Sequence, residues 1–177
     1  MTASDRLFHS RLPSPLGDLI VVCNAAQALC ALEFEDHDAR MQNFLARAYP
    51  AHERIDGVAP GAIKVALERY FAGEFAALDP LEVALQGTAF QQQVWHALRR
   101  IAPGTTTSYG GLAASLGKAG ASRAVGLANG SNPIAIVVPC HRVIGADGAL
   151  TGYGGGIARK RWLLAHEGAL AWELELG

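Results

Sequence analysis

Residues 139–142 read Pro-Cys-His-Arg, which sets the thiol of Cys140 beside an imidazole and a guanidinium. A thiolate is a strong nucleophile, and His141 and Arg142 next to it favour the ionised form over the thiol. A carboxylate orienting the imidazole would complete a nucleophile–base–acid relay. A buried cysteine can also serve as a small hydrophobe, but apolar packing gains nothing from a His and an Arg placed directly after it. Residues 151–156 (TGYGGG) offer flexible backbone and one aromatic, Tyr153. Neither this stretch nor the one from Gly111 to Gly117-Lys118 has the spacing of a phosphate-binding loop. The glycine stretch reads as a plain loop or as a pocket wall, with backbone N–H groups for a base edge and Tyr153 for stacking. Six residues separate Cys23 from Cys30, and His9, His37, His52 and His96 are scattered, so no zinc spacing is present. No metal or cofactor is expected, and those histidines are expected at the surface or at caps.

The elements that must position Cys140 fall into two halves. In the first, segments 6–11, 18–23 and 28–34 are short and partly alternating, with a Pro-Ser-Pro-Leu-Gly turn at 13–17. They predict a small antiparallel sheet. Met41, Phe44, Leu45 and Ala48 have helical spacing and predict a helix over 38–48; Ile63, Leu67, Tyr70 and Phe71 predict another over 60–72. Residues 73–87 read as a linker containing a short strand, LEVAL at 81–85. The domain boundary is placed there, giving 1–84 as an α/β domain and 85–177 as a mostly helical one.

In the second half Thr88 is expected to cap a helix through residue 100, with Phe90, Val94, Trp95 and Leu98 inward. Ser108 is expected to cap a short helix over 109–116, and Ser122 another over 123–129. With a glycine-bearing turn between them, these two helices resemble a helix-turn-helix. The second is smooth, built mostly of Ala, Gly, Val and Ser with a single Arg123. Readers of the major groove need several long polar side chains. A smooth helix suits close approach to the backbone or a narrow groove, and one arginine could fill a gap in the base stack. Residues 134–138 (IAIVV) predict one buried strand that ends at the cysteine, and Ile157, Trp162, Leu163 and Leu164 predict a closing helix over 157–166.

Composition bounds the reading. The chain has 177 residues, half of them apolar and 18% charged, enough to bury a core. No apolar run reaches the roughly 18–20 residues of a membrane span. Residues 1–10 hold no apolar signal core, so the expected compartment is the cytoplasm, where three cysteines stay reduced. Residues 1–86 carry 7 Lys/Arg against 12 Asp/Glu (−5), and residues 87–177 carry 8 against 4 (+4). A polyanion would prefer the second half.

The segment IVVPCHRVIG at 136–145 resembles the active-site signature of the O6-alkylguanine-DNA alkyltransferases, the methylated-DNA–protein-cysteine methyltransferases. TAFQQQVWHAL at 88–98, TSYGGLAASLG at 107–117, SRAVGLANGSNP at 122–133, TGYGGG at 151–156 and KRWLLAHEG at 160–168 are similar to that family in its order. SPLGDL at 14–19 and RYFAGE at 69–74 resemble its N-terminal domain more loosely. The resemblance implies a ribonuclease H-like α/β domain followed by a helical domain with a helix-turn-helix. It implies DNA repair by irreversible, single-turnover transfer of the alkyl group from O6-alkylguanine to Cys140, with O4-alkylthymine as a second candidate substrate. No cofactor is implied, and the partner is double-stranded DNA, bound by a monomer that can cluster on it.

By the same resemblance, Cys140 is the nucleophile, His141 the base acting through a water, and Glu167 the group orienting His141. Asn132 is the hinge contact near the cysteine. Tyr109 donates a proton to the departing guanine at N3 and meets a phosphate. Arg123 fills the space of the flipped nucleotide, with Ser122, Ala124 and Gly126 on the DNA side of its helix. Val143, Tyr153 and Gly154 line the base pocket. Some relatives have serine where this chain has Gly154, and others an apolar residue in place of Asn129. Rival readings are a non-enzymatic lesion binder of the same fold, in which the cysteine is replaced, a helix-turn-helix regulator and a thiol hydrolase.

Overall fold

The computed structural model describes residues 5–172, which divide into two compact units. One holds the chain up to Thr88 together with Pro133–Val137; the other holds Ala89–Asn132 and the residues from Val138 onward.

The first unit is built on a four-stranded sheet of order β3-β2-β1-β4. Strands β1 (Arg6–Leu12), β2 (Leu19–Cys23) and β3 (Leu29–Phe34) pair antiparallel. Strand β4 (Glu53–Asp56) runs parallel to β1, in register from Arg6↔Glu53 to His9↔Asp56. The expected antiparallel sheet is therefore mixed. Its fourth strand reads ERID, too polar to show an apolar period, and it forms because the free edge of β1 offers backbone partners. Charges on such an edge discourage further pairing.

Helix α1 (Asp38–Ala48) seats Met41 and Leu45 against Leu7, Val22, Cys30, Ala31 and Tyr49. Helix α2 (Gly61–Phe71) buries Ile63, Ala66, Leu67 and Tyr70. The strand expected at 81–85 reduces to a bridge between Val83 and Leu29. Cys23 and Cys30 are buried, and desolvation pushes the Cys23 thiol up to about 12, so both act as packing. His9, expected at the surface or at a cap, is only 3% exposed. The two-residue period of β1 turns it to the same face as Leu7, and burial lowers its imidazole below the usual value.

The second unit is helical: α3 (Ala89–Leu98), α4 (Tyr109–Ser115), α5 (Ser122–Gly130) and α6 (Ile157–His166). Helix α3 stops before Arg100, whose amide bonds to Ala97 in a tighter turn. Ser108 caps α4 as expected, its hydroxyl accepting from the Gly111 amide at 2.9 Å. A Cβ at position 111 would sit 2.7 Å from the Thr107 hydroxyl, so this cap needs glycine. Ser122 does not cap α5; it is the first helical residue, and Ala121 holds the cap position with no side-chain bond. In α6 the expected face is also corrected. Ile157 is exposed, and the buried stripe is Lys160, Leu163, Leu164 and Ala165. A two-stranded parallel pair joins β5 (Thr107–Ser108) to β6 (Val143–Ile144), through Thr107↔Val143 and Ser108↔Ile144.

The strand expected at 134–138 does not form. Only Ile134 bridges to a strand, at Leu32. Ile136 then takes φ of 70° at the centre of a three-residue turn closed by Val137 N–H to Ala135 O, 2.8 Å. Pro139 centres a second turn, closed by Cys140 N–H to Val138 O at 2.8 Å, with φ −83° and ψ 64°. These are γ-turns of opposite hand. A β-branched residue at positive φ is strained by about 1–3 kcal/mol and persists only where its surroundings fix it. The apolar run is thus wholly buried but bent twice before it reaches Cys140.

Leu45 is fully buried in the α1–sheet core. Leu45→Ala is expected to cost about 2–5 kcal/mol in urea unfolding; a loss under about 1 kcal/mol would contradict this packing.

Candidate active site

Cys140, His141 and Arg142 form one 3-10 turn between the Pro139 γ-turn and β6. Cys140 is 7% exposed. Two asparagines at the end of α5 hold the carbonyls around it. Asn132 Nδ2 donates to Val138 O at 2.7 Å, and Asn129 Nδ2 reaches Cys140 O at a long 3.5 Å. The end of α5 is itself tied to α3, where Trp95 Nε1–H donates to Ala128 O at 2.8 Å.

Behind the cysteine lies a buried ionic chain. His141 Nε2 is 2.9 Å from Glu167 Oε2. Arg142 grips the same carboxylate with two bonds, Nε to Oε1 at 2.8 Å and Nη2 to Oε2 at 2.9 Å, and its Nη1 donates to Ile101 O at 2.6 Å. Burial alone would push the Glu167 carboxyl up. The bonds from Arg142 and His141 outweigh it and hold the group well below the usual carboxylate range. Glu167 is therefore ionised and can only accept, so Nε2 of His141 carries the hydrogen. Burial keeps the imidazole neutral by lowering its pKa, against the pull of Glu167. Nδ1 is left with its lone pair, buried and without a hydrogen-bond partner among the described residues. The arrangement is a neutral base in a fixed tautomer, one residue from a thiol.

Glu167 follows the last turn of α6, where it is the C-cap. Its backbone is closely covered. Gly104 has φ of 80°, and a Cβ there would stand 3.0 Å from the Glu167 carbonyl oxygen. The loop before α3's successor strand must therefore carry glycine to pass that helix end.

Tyr109 opens α4, and its hydroxyl is 3.0 Å from the Thr151 hydroxyl. Its ring lies beside Gly126 of α5, where a Cβ would touch it at 3.7 Å. Val143 is fully buried in β6. Tyr153 is half-buried and Gly154 exposed in the loop between β6 and α6. Ser122, Arg123 and Ala124 are exposed on α5, as is Leu127 at 76%.

The geometry thus joins Cys140, His141, Glu167 and Asn132 in one cluster, and Tyr109 with Gly126 in a second contact. Arg123, Ser122 and Ala124 stand outside both, on an open helix face. Two residues take parts that the sequence does not show. Arg142 was read as a neighbour favouring the thiolate, whereas its guanidinium is spent on Glu167 and Ile101. Lys160 was not singled out at all. Its spacing from Leu163, Leu164 and Glu167 (i, i+3, i+4, i+7) is the signal that puts it on the buried stripe of α6.

Comparison with known proteins covers most of the chain. Residues 7–85 match the family model of the 6-O-methylguanine DNA methyltransferase ribonuclease-like domain, and residues 89–169 match that of its DNA binding domain. A methylated-DNA–protein-cysteine methyltransferase of Salmonella typhimurium is 52% identical over 167 residues, covering 93% of this chain and 98% of its own. The crystal structure of the Mycobacterium tuberculosis O6-methylguanine methyltransferase superposes with a TM-score of 0.75 at 44% identity, covering 92% of this chain and 93% of the other. The Mycobacterium tuberculosis protein in complex with DNA gives 0.76 at 45% identity, with the same coverage. The chain belongs to the O6-methylguanine-DNA methyltransferase family.

Glu167→Gln keeps the shape of the side chain and leaves Arg142 buried without its counter-charge. It is expected to destabilise the protein by about 3–5 kcal/mol at pH 7. Because the folded value of Glu167 is depressed, its contribution is complete above the unfolded value of about 4.3 and is lost as pH falls through the folded value. The gap between variant and parent in urea unfolding should therefore narrow between pH 5 and pH 3. A gap that stays constant would contradict the ion pair.

Proposed function

We propose that this chain repairs O6-alkylguanine in duplex DNA by taking the alkyl group onto Cys140, once per molecule. DNA repair by transfer of an alkyl group to a cysteine of the protein is the activity of the family to which it belongs. The observation that carries the assignment to Cys140 is the buried His141–Glu167–Arg142 chain directly behind that thiol. Cys23 and Cys30 lie in the apolar core of the first unit, with no such His–carboxylate pair hydrogen-bonded behind them among the described residues.

In this reading His141 Nδ1 accepts the thiol proton, through a water by resemblance to the family. The sulfur attacks the alkyl carbon, the carbon–O6 bond breaks, and guanine leaves with the electron pair. Tyr109 returns a proton at N3, so the departing base is neutral. A thioether has no leaving group for water to displace under mild conditions, so the reaction is stoichiometric. The balance is thiol plus aryl ether to thioether plus guanine, and it calls for no cofactor. Asn132 and Asn129 fix the turn that presents the sulfur. Val143, Tyr153 and Gly154 line the base pocket. The division assigned to the sequence, a scaffold domain at 1–84 and a reactive domain at 85–177, belongs to the same proposal, as do a monomeric, cytoplasmic protein and O4-alkylthymine as a second substrate.

A base inside the duplex is out of reach until it is flipped, at a cost of a few kcal/mol. The open face of α5 supports that step. It exposes Ser122, Arg123, Ala124, Leu127 and Gly130, and only Arg123 among them is long and polar. Such a face approaches DNA closely with little sequence preference, and phosphates attract the positive second half. Arg123 holds the gap left by the flipped nucleotide.

Three variants test the reading. Cys140→Ser should abolish transfer while a duplex with one O6-methylguanine still binds; residual methyl transfer would sink the assignment. Arg123→Ala should slow repair in duplex by about tenfold or more, a loss of about 1.4 kcal/mol, and spare reaction with the free O6-methylguanine base. An equal loss on both substrates would reject the gap-filling role. Tyr109→Phe should slow transfer yet leave Cys140 reactive toward small thiol reagents; a thiol made inert would move Tyr109 out of the proton-donor role.

A further inference from the structure

Lys160 is fully buried, yet it forms no ion pair among the described residues. Its ammonium donates to two backbone carbonyls instead, Val143 O at 2.6 Å and Thr151 O at 2.6 Å. Burial lowers the amine to about 8, with the nearby Cys140 acting in the opposite sense. A buried, unpaired charge is costly, so a lysine used only as filler would be poorly placed here; methionine would fill the space more cheaply.

The two carbonyls lie on either side of the same loop. Val143 is in β6, and Thr151 is eight residues further on, just ahead of the glycine stretch. Strand β6 pairs with β5, and β5 runs directly into Tyr109, the first residue of α4. Thr151 returns to that same tyrosine, with its hydroxyl 3.0 Å from the phenol oxygen. A closed circuit results: Tyr109, β5, Val143, Lys160, Thr151 and back to Tyr109. The Thr151 side chain is otherwise exposed, so its contact with Tyr109 is not a by-product of core packing.

We propose that Thr151, held in place by Lys160, is a positioning residue for alkyl transfer, its hydroxyl donating to the Tyr109 phenol oxygen while that phenol gives its proton to the departing guanine. This rests on the proton-donor role of Tyr109 given above. As the Tyr109 O–H bond breaks, negative charge builds on the phenol oxygen. The Thr151 hydrogen is then the donor in the pair, and it stabilises the phenolate until a proton returns from solvent. Lys160 supplies no proton to this step. It fixes the backbone from which the threonine hydroxyl reaches.

The experiment measures single-turnover transfer from a duplex carrying one O6-methylguanine, with protein in excess, beside affinity for the same duplex by fluorescence anisotropy and thermal melting. Thr151→Val should slow transfer about tenfold, the worth of one hydrogen bond to a charged group, while affinity and melting hold within experimental error. Thr151→Ser, which keeps the hydroxyl, should restore the rate to within about twofold of the parent by the same reasoning. In the Tyr109→Phe background, Thr151→Val should add no further slowing. Parental rates in Thr151→Val, a serine variant as slow as the valine one, or undiminished slowing in the phenylalanine background would each overturn the inference. Parent protein that moves no methyl group at all would instead overturn the underlying reading of the site.

Discussion

One carboxylate organises the reactive half of this molecule. Glu167 is buried at the end of α6, accepts two bonds from Arg142 and a third from His141, and stays ionised because those bonds outweigh its desolvation. Arg142 in turn reaches the backbone of Ile101, so the pair ties α6 and the Cys140 turn to the segment after α3. A buried ion pair of this kind adds little net stability over apolar packing, but losing one partner is expensive. What it provides here is definition: a single tautomer of His141, a single orientation of its ring, and an imidazole that burial keeps neutral.

The backbone leading to the thiol is as constrained as the side chains. Two γ-turns of opposite hand, at Ile136 and Pro139, replace the straight strand that an apolar run of five would ordinarily form. The turn that follows exposes Cys140 only slightly and points its carbonyl neighbours at Asn129 and Asn132. The position of the Cys140 turn therefore depends on α5, the helix whose outer face exposes Ser122, Arg123, Ala124 and Leu127. In the proposed function binding and chemistry share that one element, so a shift of α5 would be felt at the turn that carries the sulfur.

How much of this could be read beforehand depends on the kind of signal. Helix α1 was legible to the residue because its apolar period is strong and its start carries Asp38, and the bounds of α6 were legible as well. The face of α6 was not, because Ile157 joins the apparent apolar stripe yet is exposed, and a buried Lys160 is recognised only once two backbone carbonyls are seen to take its hydrogens. Strand β4 has no apolar pattern and exists through its partner β1. Residues 134–138 are as apolar as a buried strand, and nothing in their composition reveals a positive φ at Ile136. At the site, Cys140, His141 and Arg142 are adjacent and visible at once. Glu167 enters through resemblance, and the contact of Thr151 with Tyr109 spans 42 residues of chain and is set by loop geometry alone.

We infer that the relay behind Cys140 makes this one thiol, among three, the acceptor of the alkyl group. Intact and peptide mass spectrometry after mixing the protein with a duplex bearing one O6-methylguanine tests it directly. A single added methyl group is expected, in stoichiometric yield, on the peptide containing Cys140. An unchanged mass with the lesion bound, or a methyl group on Cys23 or Cys30, would contradict it.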